Sequence, residues 1–442
     1  MRITIAGIGY VGLVTGVCLA ELGHEITCVD LQESKIAMLN AGRSPIFEPG
    51  LESLLAKNMS CGRLQFTTNP EMAYKQAEII FITVGTPASD DGTADLRHVT
   101  AVADTIAMYI KNDVIICIKS TVPVGTNEKV KQTIDRQKNA DSNTTVISNP
   151  EFLREGSAIF DFFHGDRIVI GSDNPEAAAV IENLYAPLHI PVIKTNIRSA
   201  EMIKYASNAF LATKISFINE IAVICEKLNA NIDEVVMGIG SDKRIGDQFL
   251  RAGIGYGGSC FPKDTNALAQ LAGNMQHPFE LLEAVIKVNN RQQSLPIKKA
   301  KEVITSLAGK KVSVLGLAFK PGTDDIRESA SLKIMKELQQ EKAIVTAYDP
   351  VAVPNMKKEL GNDFSYTDDI REALWNSELA IIATEWEQIK QFPISLYAEY
   401  MKEPIIIDGR NCYSIDEVKK HSIHYVSIGR PSHSPKTQKE NL

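Results

Sequence analysis

From Ile3 to Ala20 the chain carries no charge and is mostly apolar, and Gly7, Gly9, Gly12 and Gly16 punctuate the run. Length alone would allow a membrane helix or a signal-peptide core. Three features oppose that. The glycines break the run, only Arg2 precedes it, and no small-x-small cleavage site follows. The remaining solution is a buried strand over residues 3–6, a tight turn, and a helix to about Leu22. No second stretch reads as apolar enough to span a bilayer, so no membrane partner is expected.

The turn is Gly7-Ile8-Gly9-Tyr10-Val11-Gly12, a GxGxxG pattern placed after a strand and opening a helix. Gly7 permits the tight turn, Gly9 lets backbone approach a pyrophosphate, and Gly12 permits close helix packing. The helix N-terminus offers N–H groups and a positive dipole to phosphates. Asp30 ends the next predicted strand, where a carboxylate accepts from ribose hydroxyls and repels a 2′-phosphate. The combination predicts an NAD site. Lys35 nearby weakens the preference over NADP.

Strand-like runs alternate with helical patterns through the first half, at 3–6, 25–29, 79–84, 114–119 and 144–148, with 167–171 and 192–195 beyond. That alternation predicts a parallel sheet covered on both faces. From Ser199 to Asn229 there is no Gly or Pro, and apolar residues recur at helical spacing, predicting one long helix. A second helical stretch runs from about Asn266 to Arg291, with a break near Gly273 to Pro278. After Pro296 the alternation returns, with strands at 311–318, 344–348, 379–383 and 405–407. The second half mirrors the first: Gly7 and Gly316 end first strands, Asp30 and Asp349 end second ones, and Thr83 and Thr384 end the next.

The fold expected is α/β, with two Rossmann-like domains of mainly parallel sheet joined by a long central helix or helical domain. The boundaries expected are 1–198, 199–298 for a connector with a dimer interface and a catalytic loop, 299–428, and a polar tail at 429–442, disordered by composition. The second half has Gly316 but no GxGxxG, so a nucleotide there would bind differently.

The balance of Lys plus Arg (47) against Asp plus Glu (54) gives a net charge of -7, which argues against nucleic acid as main partner. Seven cysteines, at 18, 28, 61, 117, 225, 260 and 412, form no CxxC pair and no zinc spacing. No metal is expected, and unpaired thiols fit a reducing cytoplasm.

One thiol stands apart. Gly253-Ile254-Gly255-Tyr256-Gly257-Gly258-Ser259-Cys260-Phe261-Pro262-Lys263-Asp264 carries four glycines in six residues, freeing the backbone to wrap a ligand. Pro262 suits a first helical turn, placing Cys260 at a helix mouth beside Lys263, where a thiol becomes more acidic and nucleophilic. A buried, inert thiol beside a flexible loop remains the alternative. Asp264 is either a proton acceptor or a helix cap. Lys204 and Asn208 share a face of the long helix, which spacing alone would leave as a solvated face. Glu151 and Glu155 follow a strand, as does Thr121, and Glu151 reads as a base and Glu155 as a cofactor contact, or both as ordinary loop carboxylates. A dinucleotide site with an activated cysteine suits oxidation of an aldehyde to an acid, because a thiolate adduct donates hydride readily and leaves a thioester for water.

The ordered motifs GIGYVG, STVPVG, NPEFLREG, the Lys204/Asn208 helix, GYGGSCFPKD, LGLAFKPGTDDIRES and IDGRN, from residue 3 to about 412, resemble the UDP-glucose/GDP-mannose dehydrogenase family. The resemblance implies an NAD-dependent oxidation of C6 of a nucleotide sugar, twice, from alcohol to acid, with two NAD reduced in turn. It implies that Cys260 is the nucleophile, that Lys204 and Asn208 stabilise an oxyanion, that Asp264 with Thr121 serves a water, and that Glu151 is a base. It implies cofactor contacts at Gly7, Gly9, Tyr10, Val11, Gly12, Asp30, Lys35, Thr86, Thr121, Glu155, Lys263 and Arg327. Its substrate contacts map to Glu151, Phe152, Leu153, Arg154, Glu155, Lys204 and Asn208, then Phe249, Leu250, Arg251, Ala252, Gly253 and Gly257, then Phe319, Lys320 and Arg410. Arg244 resembles a residue that reaches the neighbouring subunit's substrate, which implies a homodimer. The forms NPEFLREG and GYGGSCFPKD look like the branch acting on UDP-glucose, with GDP-mannose or another nucleotide sugar as the alternative substrate. A two-electron dehydrogenase of the hydroxyacid type, needing no cysteine, and a non-catalytic nucleotide-sugar sensor are the rival classes.

Overall fold

The computed structural model describes residues 1–89, 92–138 and 141–435. Two compact units divide the chain: Met1–Ser207 with Asn266–His277, and Asn208–Thr265 with Pro278–Leu442. Both are α/β, and each is built on one sheet.

The first sheet has strands β1 (Arg2–Ala6), β2 (Glu25–Val29), β3 (Leu64–Thr67), β4 (Ile79–Ile82), β5 (Val114–Ile118), β6 (Thr144–Ser148), β7 (Ile168–Gly171) and β8 (Val192–Thr195). Their spatial order is β3-β2-β1-β4-β5-β6-β7-β8, parallel throughout except where β6 meets β7. The central strands are near-continuous apolar runs because helices cover both faces. Ile3, Ile5 and Phe81 are sealed in the core, each contributing about 1.5–3 kcal/mol by burial. The helix Tyr10–Glu21 lies tight on this sheet: a Cβ at Gly16 would stand 2.8 Å from the Cys28 Sγ.

The second sheet has β9 (Lys311–Leu315), β10 (Ile344–Tyr348), β11 (Ser365–Thr367), β12 (Leu379–Ile382), β13 (Ile405–Asp408) and β14 (His424–Val426), ordered β11-β10-β9-β12-β13-β14 and wholly parallel. The expected α/β architecture, with mainly parallel sheets and a long central helix, is what the chain forms.

Several sequence expectations need correction. β3, β11 and β14 were not anticipated. They are short edge strands of mixed polarity (LQFT, SYT, HYV) and lack the apolar run of a central strand. β4, β9 and β12 end before Val84, Ala318 and Ala383, because apolar residues continue into the loops at the carboxyl edge, and β5 ends before Lys119. The helix Phe261–Asn274 begins earlier than residue 266, with Pro262 in its first turn. It ends at the anticipated break, and Glu280–Gln293 follows.

The long helix, Ile197–Leu228, is also apolar and long enough by composition to cross a membrane, with a window of mean hydropathy 1.3, contrary to the reading that no second stretch qualifies. Of that window 44% is buried inside the protein. Disorder from Arg430 onward does not hold for the described residues. Arg430 pairs with Asp233 at 2.6 Å, and His433 bridges Tyr425 through backbone. Residues 436–442 of the expected tail lie outside the described residues.

Candidate active site

The turn after β1 has the geometry a diphosphate needs. Gly7 sits at φ +96°, and a Cβ there would stand 2.9 Å from the Val84 Cα, so no larger residue fits. A Cβ at Gly12 would fall 2.0 Å from the Gly7 carbonyl oxygen, whereas one at Gly9 would meet nothing within 4 Å. Space is therefore open above Gly9 and closed at its flanks. Gly9 caps the helix Tyr10–Glu21 without a side-chain hydrogen bond, and its first turn has no acid. Its leading N–H groups are left for an anion.

Asp30 accepts from the Ile8 amide at 2.9 Å, the Gln32 amide at 3.0 Å and the Lys35 ammonium at 2.9 Å. Burial works against its charged form, but the Gln32 amide, Lys35 and the Ile8 amide together hold its pKa below the usual value. Lys35, the residue that weakened the preference for NAD, is thus turned onto Asp30. These residues fit NAD.

At the carboxyl ends of β5 and β6 the first unit gathers several anticipated residues. Glu151 and Lys204 are each 5% exposed and pair at 3.0 Å. The other Glu151 oxygen accepts from the Leu153 amide at 2.5 Å, fixing the turn that carries Phe152. The Phe152 ring faces Arg167 at 3.7 Å and Lys204 at 5.4 Å. Thr86 donates to the Thr121 carbonyl at 2.8 Å. Gly156, after half-buried Glu155, donates to both the Tyr10 hydroxyl and the Glu48 carboxylate at 2.6 Å. Arg154 pairs at the surface with Asp161 at 2.6 Å.

Sequence reasoning missed three groups here. Glu48 is buried and also accepts from the Ile159 amide. Glu201, buried one turn before Lys204, accepts from the Gly125 and Asn127 amides and ties the long helix to the segment after Thr121. Lys119 is buried at the end of β5, and burial pushes its pKa down to about 8, against the pull of Glu151 and Cys117 and with the push of Lys204. Composition offers no signal for any of them, because their partners are distant in sequence.

The second unit holds the cysteine. The Cys260 carbonyl accepts from the Asp264 amide at 2.8 Å, so Cys260 caps the helix Phe261–Asn274 and its half-buried side chain sits at the helix mouth. Asp264 is 1% exposed, accepts from the Asn208 amide group at 2.6 Å and pairs with Lys263. A carboxylate and a lysine in the first turn after Cys260 therefore meet an amide donor from the long helix.

The glycine-rich stretch before it is packed, not loose. A Cβ at Gly257 would lie 2.2 Å from the Glu328 carbonyl oxygen, and one at Gly258, φ +81°, would lie 2.8 Å from the Phe319 ring. Gly258 donates to the Arg327 carbonyl at 2.9 Å. Arg410 donates to the Gly255 and Ala383 carbonyls at 3.0 and 2.9 Å, and Arg251 donates to the Arg410 carbonyl at 3.3 Å. Gly253 lies against Arg410, and the Lys320 ammonium stands 5.5 Å from the Phe319 ring. Leu250 and Ala252 are buried, and the Phe249 ring packs 6.3 Å from Phe261. Arg327 forks onto Asp325. Arg244 stands apart from these groups, its side chain 88% exposed and bonded to Asp242. Among the described residues no group of three or more His, Cys, Asp or Glu could hold a metal ion.

The dinucleotide turn, the acid after β2 and two mainly parallel sheets define an NAD-dependent dehydrogenase. Three successive parts of the chain match the UDP-glucose/GDP-mannose dehydrogenase family: its NAD binding domain at residues 1–189, its central domain at 198–291 and its UDP binding domain at 313–415. The chain is 54% identical over 435 residues to a UDP-glucose 6-dehydrogenase of Bacillus subtilis, covering 98% of this chain and 99% of that one. It is 47% identical over 438 residues to the UDP-glucose 6-dehydrogenase of Rhizobium meliloti, covering 98% and 100%. The solved structure of a UDP-glucose dehydrogenase from Pyrobaculum islandicum superposes with a TM-score of 0.90 at 38% identity, covering 96% of each chain. The chain belongs to the UDP-glucose/GDP-mannose dehydrogenase family; it is an oxidoreductase that uses NAD and acts on a nucleotide sugar.

Proposed function

We propose that the protein oxidises the C6 alcohol of UDP-glucose to the acid of UDP-glucuronate in two steps. The reading is carried by the 54% identity to a UDP-glucose 6-dehydrogenase over nearly the whole chain. The cluster of Asn208, Asp264 and Lys263 beside Cys260 supports the chemistry. Bound NAD supplies hydride acceptance in both oxidations, held by Gly7, Gly9, Tyr10, Val11, Gly12, Asp30, Lys35, Thr86, Thr121 and Glu155, with Lys263 and Arg327.

The Cys260 thiolate adds to the C6 aldehyde, and its sulfur becomes bonded to C6 in a thiohemiacetal. Once that carbon is oxidised, it is held as a thioester. Water then adds, the C–S bond breaks, and the acid and thiol are released. Lys204 and Asn208 donate to the oxygen on which charge develops. Glu151 takes a proton, and Asp264 and Thr121 hold the attacking water. The stretch 249–253 with Gly257, Phe319, Lys320 and Arg410 receives the nucleotide, and Glu151 to Glu155 receive the sugar end.

The protein works as a homodimer in the cytoplasm, with Arg244 serving a neighbouring subunit. Exposed Phe210, Phe217, Ile224 and Leu228 on the long helix support this, because so apolar a stripe wants a partner. The proposed divisions remain 1–198 for NAD, 199–298 as connector and 299–428 for the nucleotide sugar.

One assay tests the reading. NADH formed per UDP-glucose consumed should be two, and higher than background with GDP-mannose or a UDP-N-acetyl sugar only if the substrate assignment is wrong. Cys260→Ser should lower four-electron turnover by about 10³-fold or more, with at most one NADH per substrate. Two NADH per substrate at wild-type rate from that variant would end the covalent mechanism, and no NADH from the wild type would favour a sensor.

A further inference from the structure

The Glu151–Lys204 pair, taken alone, is neutral. A neutral pair offers little to a developing oxyanion, yet Lys204 is proposed to stabilise one. The first unit holds a second cation behind it.

Lys119 follows β5, and its residue is 6% exposed. Its ammonium donates to the Asn149 Oδ1 at a long 3.4 Å. No carboxylate among the described residues lies within ion-pairing distance of it. The same Asn149 oxygen accepts from the Tyr185 hydroxyl at 2.8 Å, and the Asn149 amide group donates to the Val169 carbonyl at 2.9 Å. Asn149 is thereby locked, two residues before Glu151. The Tyr185 ring lies 5.8 Å from the ammonium. The titratable groups facing Lys119 are Cys117 on its own strand, Glu151 after β6 and Lys204 on the long helix, with the ring of Tyr185 from the helix Pro175–Tyr185. Of these, burial keeps Cys117 and Tyr185 protonated by pushing their pKa values up. The remaining members, by formal charge, are two lysines and one carboxylate.

A buried cation with no ion pair and one long hydrogen bond is costly to keep, so its value lies elsewhere than in stability. We propose that Lys119 is a positioning residue for the reaction: its ammonium offsets the charge of Glu151, so that Lys204 keeps a net positive field for the oxygen of the substrate. The inference rests on the roles proposed for Glu151 and Lys204.

The test is a double-mutant cycle on the full-length enzyme, following NADH formation with saturating UDP-glucose and NAD. Lys119→Met should lower kcat at neutral pH by about tenfold, the size expected for one nearby charge. In a Glu151→Gln background, with no carboxylate left to offset, the same change should cost less than about twofold. Lys119→Met should melt no lower than wild type, because it removes a buried charge.

The alkaline side supplies a second readout. Lys119 loses its proton through a pKa of about 8, so wild-type kcat should fall above that pH. Lys119→Arg keeps its charge and should move that fall upward. An equal cost of Lys119→Met in both backgrounds, or an alkaline limb unmoved in Lys119→Arg, would overturn the inference. If Lys119→Met fails to fold, the Lys119→Arg profile decides alone. Full turnover by Glu151→Gln would instead remove the role proposed for Glu151 and this inference with it, whereas an equal Lys119→Met cost beside a crippled Glu151→Gln removes this inference only.

Discussion

The two sheets begin alike and diverge within a few residues. In each, a glycine with positive φ follows the first strand, Gly7 at +96° and Gly316 at +93°. In each, an aspartate after the second strand accepts from the amide that follows that glycine, Asp30 from Ile8 and Asp349 from Leu317. There the likeness stops. Asp30 has two further donors, Gln32 and Lys35. Asp349 is 1% exposed and accepts also from Ala318, Val351, Ala352 and the Trp386 indole. A carboxylate with five donors has no acceptor capacity left for a ribose.

The helices diverge in the same sense. Tyr10–Glu21 opens three residues after Gly7 with an uncapped N-terminus. The corresponding helix, Ala330–Gln340, starts fourteen residues after Gly316, and the Ser329 hydroxyl already accepts from Leu332. The first unit keeps an acceptor and a set of N–H groups for a ligand. The second spends both on itself, so a nucleotide there must be held by other groups, and Lys320 and Arg410 are the candidates. A shared topology therefore does not transfer a binding site.

The sharpest way to break this comparison is to remove each aspartate. Asp349→Ala strands five donors, four of them backbone amides, and should cost about 3–5 kcal/mol of stability. Thermal melting should show it as a large fall in Tm, with KM for NAD unchanged in whatever protein remains folded. A variant as stable as wild type would mean that Asp349 is not the internal plug its hydrogen bonds describe.

Asp30→Ala should act the other way round. It should raise KM for NAD by about tenfold to a hundredfold and narrow the preference over NADP, because Lys35 is released. Its effect on Tm should be far smaller than that of Asp349→Ala. Equal losses of stability from the two substitutions would erase the distinction between a ligand acceptor and a structural one.

How much of this could be read from sequence follows the same line. GxGxxG, Asp30 and the alternation of strands and helices are local patterns, so their places were legible. Asp349 was legible as a position, but its role was not, since its donors come from residues 317, 318, 351, 352 and 386. Lys119 and Glu201 were invisible because their partners are 30 and 76 residues away. β11 and β14, three residues each, gave no periodicity to detect. The motif around Cys260 could be located from its glycines, but not the reason for them. Gly257 and Gly258 are required by the Glu328 carbonyl and the Phe319 ring, which only the folded chain brings there.

The smallest effect is a pH dependence at Asp30. The folded pKa of Asp30 is depressed by the Gln32 amide, Lys35 and the Ile8 amide, acting against burial. A depressed carboxylate stabilises the fold above its unfolded pKa of about 3.9, and that contribution disappears as pH falls through the lower folded value. The Asp30 share should be present at neutral pH and lost as pH falls below the unfolded value. Denaturant unfolding of wild type and Asp30→Asn should therefore differ at pH 7 and converge in acid. The same acid should weaken NAD binding by wild type more than by Asp30→Asn, since a neutral acid and an amide no longer differ in charge. Parallel stability curves at all pH values would mean that the hydrogen bonds to Asp30 do not depend on its charge, and that the acceptor left open in the first unit is no stronger than an ordinary amide oxygen.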